Sequence, residues 1–183
     1  MNQYKVLRWG DSRLITPSVE VEDPTGATMK KIIDIMWQVM KDYNGVGLAA
    51  PQIGINLRLM IFGLEKSDRY PDAEAVEPTV LINPGWEPLS DEIEPGWEGC
   101  LSIPDMNGIV PRYRQIRYWG LNERGEKIER EVSDFHARVF QHEYDHLDGI
   151  LYPMRIEDLA DFGFRTELEA SGRFGRNEDI PEE

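Results

Sequence analysis

The 183-residue sequence predicts an α+β domain, with antiparallel sheets packed around a central helix that carries His142-Glu143-Tyr144-Asp145-His146 and a further helix toward the C-terminus. Three observations predict it. Apolar residues recur at helical spacing over residues 29–43 and 134–147. Residues 57–62, 79–82, 114–119 and 127–132 are short apolar or alternating runs of strand length. The last two runs flank Asn122 to Gly125, whose turn chemistry makes them an antiparallel pair.

The elements follow in order. Residues 6–24 mix short apolar pieces with Asp11, Pro17 and Pro24, and read as loop with a turn. The first helix places Met29, Ile32, Ile33, Met36, Val39, Met40 and Tyr43 on one face; Thr28 is its expected cap and Asn44-Gly45 its stop. Its methionines read as core packing. The strand at 57–62 precedes an acidic, proline-bearing surface loop over 65–78, and the strand at 79–82 is expected to end at Asn83-Pro84-Gly85. After the hairpin, Ser133 is the expected N-cap of the helix at 134–147 and Gly149 its left-handed terminator. Phe135, Val139, His142 and His146 fall on one face of that helix, which turns both histidines inward. A weaker helix is expected over 156–170. Residues 1–172 read as one catalytic domain and 173–183 as a polar acidic tail.

Composition narrows the function. With 40% hydrophobic and 30% charged residues, the chain has the make-up of a soluble single domain. A formal net charge of −14 argues against broad binding to nucleic acid or an anionic membrane. No apolar run is long enough to span a bilayer, and the N-terminus lacks the basic and apolar regions of a signal peptide. One cysteine, Cys100, excludes an internal disulfide and suits a reducing cytoplasm.

The chemistry concentrates in the His-Glu-x-x-His motif. On a helix, His142 and His146 stand one turn apart and can share one ion, with Glu143 placed as general base toward the attacking water. A hydrolytic site usually takes three protein ligands and keeps one position open. The downstream pattern of one peptidase group fails here, because Tyr152 stands where its last histidine should. His136 precedes the motif. Glu167 and Glu169 lie at a distance that suits a glutamate-type zinc endopeptidase, and Cys100 is the stronger candidate. A third block, Gly45-Val46-Gly47-Leu48-Ala49-Ala50-Pro51-Gln52, offers closely approachable backbone and an amide side chain able to polarise a carbonyl.

Together the three blocks resemble peptide deformylase. They are Gly45 to Gln52, then Glu98-Gly99-Cys100-Leu101-Ser102, then Gln141-His142-Glu143-Tyr144-Asp145-His146-Leu147, in the family's order. The resemblance runs from about Val6 to Tyr152 and implies a metal-dependent hydrolase. That activity removes the N-formyl group from the formylmethionine of new polypeptides and releases formate. The resemblance also implies Cys100, His142 and His146 as ligands, Glu143 as acid–base, and Gln52 with the Leu101 N–H as donors to the developing oxyanion. The peptide is expected to lie extended against backbone near Val46, Gly47 and Gly99, its methionine side chain among Val46, Phe135 and Val139. The implied metal is iron(II), for which zinc, nickel or cobalt can substitute. N-formylmethionyl nascent peptides and a transient ribosome contact are the implied partners, with no nucleic acid or membrane partner and the protein a monomer. A catalytically inactive, peptide-binding relative is the remaining alternative.

Three departures stand out. The segment 157–183 has nine acidic residues and only Arg165, Arg173 and Arg176, unlike the basic C-terminal helix some bacterial relatives use on the ribosome. Arg138 stands where many bacterial members carry an aliphatic residue, and either lines the pocket mouth or reaches solvent. Asn107 occupies a position that is often arginine. Asp145 and Asp148 are poor ligands; Asp145 points off the histidine face and is placed to orient a neighbour.

Overall fold

The computed structural model describes residues 4–64 and 75–174. Among the described residues, eight strands form two antiparallel sheets, accompanied by three α-helices. The larger sheet has the order β1-β2-β3-β6-β7, from Gly47–Ala49, Leu59–Leu64, Val76–Pro88, Gln115–Leu121 and Lys127–Ser133. The smaller has the order β4-β5-β8, from Ile93–Cys100, Ile103–Tyr113 and Phe162–Phe164. Helices α1 (Ala27–Asp42), α2 (Asp134–Leu147) and α3 (Arg165–Ala170) complete the fold.

The apolar run at 59–62 shows why the large sheet has two cores. Alternate side chains of a strand point to opposite faces. Leu59 and Ile61 join Met29, Ile33, Met36 and Val39 of α1. Met60 and Phe62 join Ala137, Val139 and Phe140 of α2. A strand covered on both sides cannot alternate apolar with polar, so it reads as a solid hydrophobic block. Burying each such Leu, Ile or Phe side chain is worth about 1.5–3 kcal/mol. Tyr118 on β6 stacks on Phe140 with ring centroids 4.5 Å apart, fixing α2 over the sheet. Helix α2 also contacts β5, so it is held by strands of both sheets.

The limits of α2 are those the sequence predicts, and its C-terminus closes as expected. Gly149 sits at φ +72°, its N–H bonds His146 O at 3.2 Å, and Ile150 N–H bonds Asp145 O at 2.9 Å. That double closure needs a left-handed residue after the cap. Ser133 does occupy the N-cap position, but its hydroxyl donates to Asp134 Oδ2 instead of accepting from the helix backbone.

Other expectations need correction. Helix α1 starts at Ala27 with Gly26 as cap, so Thr28 lies inside it. The strand expected to stop at Asn83-Pro84-Gly85 runs on to Pro88. Its register shifts between Ile82 and Gly85, with Asn83 at φ +51°. The turn-like residues thus build a bulge, and the Asn83 amide pairs with both the N–H and the C=O of Val21. Val76 to Pro78 belong to β3, while residues 65–74 of the expected loop lie outside the described residues. The helix expected over 156–170 shrinks to α3, because Phe162–Phe164 pairs as β8 with Met106 to Gly108 of β5. The hairpin of β4 and β5 was not foreseen. The tail beyond Phe174 lies outside the described residues.

Candidate metal centre and catalytic pocket

Two elements converge on one point. Strand β4 ends at Cys100, and α2 presents His142 and His146 one turn apart. One ligand atom from each of these three residues lies within 4.8 Å of the other two, a separation one ion can bridge. Cys100 Sγ is 3.3 Å from His146 Nε2. Glu167 and Glu169 are not part of this group; Glu169 on α3 pairs with Arg165 instead.

The donors suit a cation. His142 Nδ1 is 2.8 Å from Glu98 Oε2, which leaves Nε2 for a metal and fixes the ring's direction. Of the three buried side-chain polar atoms without a hydrogen-bond partner among the described residues, two, Glu143 Oε2 and His146 Nδ1, lie here. A buried carboxylate oxygen left unpaired is costly in free energy, and such groups concentrate where chemistry is done. Burial pushes the Glu143 carboxyl up to about 7, against the neighbouring positive charge of His142. Burial by itself would lower His142, yet Cys100 and Glu98 together raise it well above the usual range. Burial and the charge of His142 hold His146 well below the usual range.

Close packing sets Glu143 in place. A Cβ on Gly47 would come within 2.3 Å of Glu143 Oε1, so only glycine lets β1 run against the carboxylate. The amide of Gln52 is held at both ends. Its Oε1 accepts from Ala49 N–H at 2.8 Å, and its Nε2 faces Cys100 Sγ at 3.5 Å and Ser102 Oγ at 3.2 Å. The donor end is thereby aimed at the cluster. Leu101 follows Cys100 and packs its half-buried side chain on the α1 core.

A cleft opens beside the cluster, with Val46, Gly47, Gly99, Phe135, Arg138 and Val139 in its walls. All the residues expected to meet substrate therefore line one cavity, along with Gln52, Leu101 and Glu143. Val46 O already accepts from Gly63 N–H at 2.9 Å, so one of its lone pairs is committed. The Asn107 amide donates to Glu98 O at 3.0 Å and so braces β4.

Sequence reasoning missed the charged frame behind the ligands. Arg112 Nε and Nη2 donate to both oxygens of Glu98, at 2.9 and 3.0 Å, and Nη1 donates to Asp145 Oδ2 at 2.6 Å. Arg155 Nη2 donates to Asp145 Oδ1 at 2.7 Å. Asp145 bonds Arg112 and Arg155 rather than the ligand group, and is linked to His142 only through Arg112 and Glu98. Burial would raise the Glu98 carboxyl, but Arg112 and His142 hold it well below the usual carboxylate range. One signal was available: a histidine ligand needs an acceptor on its second nitrogen, and Glu98 is the acidic residue nearest Cys100 in sequence. Arg138 lines the cleft rather than extending into solvent, its largely buried guanidinium packed against β4 and β5.

Comparison with known proteins agrees with this geometry. The family model described as Polypeptide deformylase matches residues 3–161. Peptide deformylase 1 of Bordetella pertussis is 56% identical over 165 residues, covering 90% of this chain and 94% of that protein. Peptide deformylase 2 of Pseudomonas putida is 53% identical over 165 residues, covering 89% of this chain and 93% of that protein. The structure resembles a Met-Ala-Ser-bound class I type b peptide deformylase of Acinetobacter baumannii. The TM-score is 0.81 at 36% identity, with 85% of this chain and 100% of that one covered. It also resembles a peptide deformylase of Synechococcus elongatus in complex with actinonin, at TM-score 0.79 and 32% identity, covering 94% and 87% of the two chains. The chain belongs to the polypeptide deformylase family, the metal-dependent hydrolases that remove the N-formyl group from newly made polypeptides.

Proposed function

We propose that Cys100, His142 and His146 hold the metal and that Glu143, Gln52 and Leu101 carry out deformylation around it. The observation that carries this reading is the convergence of three ligand atoms within 4.8 Å beside a buried, unpaired carboxylate. A divalent ion held by these ligands supplies Lewis acidity toward the formyl oxygen and toward the attacking water.

The chain's own groups do the rest. The Glu143 carboxylate takes a proton from the water as its oxygen bonds to the formyl carbon. The same carboxyl returns that proton to the amine nitrogen as the C–N bond breaks, giving formate and a free N-terminus. Burial raises the Glu143 carboxyl, which favours a group that accepts a proton and then gives it back. Gln52 Nε2 and the Leu101 N–H donate to the oxygen where negative charge gathers. The peptide lies extended along β4 near Gly99 and β1 near Val46 and Gly47, in the manner of an added strand. Its methionine side chain enters between Phe135, Val139 and Val46. The Acinetobacter baumannii relative binds Met-Ala-Ser, a tripeptide of the kind such a cleft would hold after formate leaves.

Iron(II) is the metal of this reading, with zinc, nickel and cobalt as substitutes, because a thiolate with two imidazoles accepts all four. The catalytic unit spans residues 1–172, and residues 173–183 form the acidic tail. The protein works as a cytoplasmic monomer that meets nascent chains in transient contact with the ribosome. The test is formate release from formyl-Met-Ala-Ser beside cleavage of its unformylated twin. Formate from the first and no cleavage of the second supports deformylation, whereas internal cleavage of the unformylated peptide would favour an endopeptidase. Full metal content with no turnover of either would favour an inactive binding relative.

A further inference from the structure

Arg138 makes a set of contacts that its position on α2 does not require. Its Nη1 donates to Val110 O at 2.7 Å, to Glu98 Oε1 at 3.1 Å and, more weakly, to Gly96 O at 3.4 Å. Its Nη2 donates to Glu94 O at 2.6 Å. One guanidinium on α2 thus gathers three main-chain carbonyls from β4 and β5 and one carboxylate. The side chain is only 13% exposed, so these bonds form largely out of water. The strand makes room for it: a Cβ on Gly96 would stand 2.7 Å from Arg138 Nη2.

Strand β4 needs such a tie. It is an edge strand, hydrogen-bonded to β5 on one side only. In the proposed function its other edge, near Gly99, pairs with the peptide. At its C-terminal end β4 is fixed to α2 by Glu98 to His142 and by Cys100 to His146. Arg138 lies one turn before His142 and supplies the tie at the far end of the cleft, whose walls it shares with Phe135 and Val139.

We propose that Arg138 is a positioning residue that latches β4 to α2 and so sets the width of the pocket for the first side chain of the substrate. The inference rests on the peptide-binding mode given above. The fork of the guanidinium is essential, because an ammonium cannot span acceptors on two strands and a carboxylate in one plane. Loosening the latch widens the gap between β4 and α2, which weakens the grip on a linear methionine side chain and admits a branched one.

The experiment compares formyl-Met-Ala-Ser with formyl-Leu-Ala-Ser for the wild-type protein and for Arg138→Leu, Arg138→Lys and Gly96→Ala, with metal content measured on each. Arg138→Leu should raise KM for the methionine peptide about tenfold, with kcat changed much less and metal retained. Its preference for methionine over leucine should shrink by a similar factor, about tenfold. Arg138→Lys should fail to restore either. Gly96→Ala keeps the charge but crowds Nη2, so it should move KM and preference the same way, and it decides the matter if Arg138→Leu does not fold. Unchanged KM and preference in the folded variants would overturn the latch, even if thermal stability fell. So would an equal loss on both peptides accompanied by loss of metal. A wild-type protein that releases formate from neither peptide would overturn the deformylase reading itself, and the latch with it.

Discussion

Cys100→Ser keeps the side chain's size and removes the thiolate. A neutral hydroxyl is a poor ligand beside two imidazoles, so the variant is expected to lose most of its metal on dialysis, as read by elemental analysis. Near-stoichiometric metal of unchanged affinity would remove Cys100 from the ligand set. At this scale the sequence was informative where spacing encodes geometry. Two histidines four apart on a helix must share a face, and Cys100 needed only to be the best third donor. The contacts that join Glu98, Arg112 and Arg138 could not be found that way. Arg112 meets Glu98 across 14 residues and Arg138 meets it across 40, through pairings that only the folded sheets create. Burial, the property that gives these charges their influence, leaves no local pattern in a chain where charged residues are 30% of the total.

Helix α2 has a second face that does no chemistry. His136 lies there, its Nε2 3.2 Å from Tyr118 Oη and its ring against Phe62. Burial, with Arg130 nearby, lowers its pKa from 6.5 to about 4. In the unfolded chain the imidazole recovers its ordinary value, so between those limits the unfolded state binds more protons. The contribution of neutral His136 is therefore complete above about pH 6.5 and is lost as pH falls toward about 4, below which the loss levels off. Allowing for its partial exposure, the loss is on the order of 1–2 kcal/mol. Denaturant unfolding from pH 7.5 to 4.5 should show His136→Phe losing less stability than the wild type, and parallel curves would contradict this. The legibility of elements follows the same logic as that of residues. Helix α2 was readable to its last residue because periodicity and the Gly149 terminator agreed. Strands β4 and β5 were not, because Pro95, Gly96, Gly99, Pro104 and Pro111 punctuate what is a continuous antiparallel pair. Pro95, Gly96 and Gly99 are tolerated because β4 is an edge strand, where Gly96 makes room for Arg138, and Pro104 and Pro111 of β5 lie outside the Met106 to Gly108 stretch that pairs with β8.

For the molecule as a whole, two antiparallel sheets and α2 bring Cys100, His142 and His146 together in a protein with a net charge of −14. None of its helices, among the described residues, is long and apolar enough to cross a membrane. The α+β class and the place of the motif on a helix were legible from periodicity alone. The division into two sheets was not, since it depends on which strands pair over long distances. A lone thiolate also makes the whole enzyme sensitive to its metal. With iron(II), aerobic handling should inactivate it, because iron oxidises and Cys100 has no second cysteine to rescue it as a disulfide. A nickel-substituted form should outlast the iron form in air, and equal lifetimes would argue against iron. The most direct test of the account lies in Glu143→Gln, with formate release from formyl-Met-Ala-Ser and metal stoichiometry measured on the same preparation. The carboxylate is assigned to proton transfer and not to metal binding. The variant should therefore keep its metal while hydrolysis falls by about 10²-fold or more. Hydrolysis within a few-fold of wild type, or loss of the metal together with the activity, would contradict the assignment.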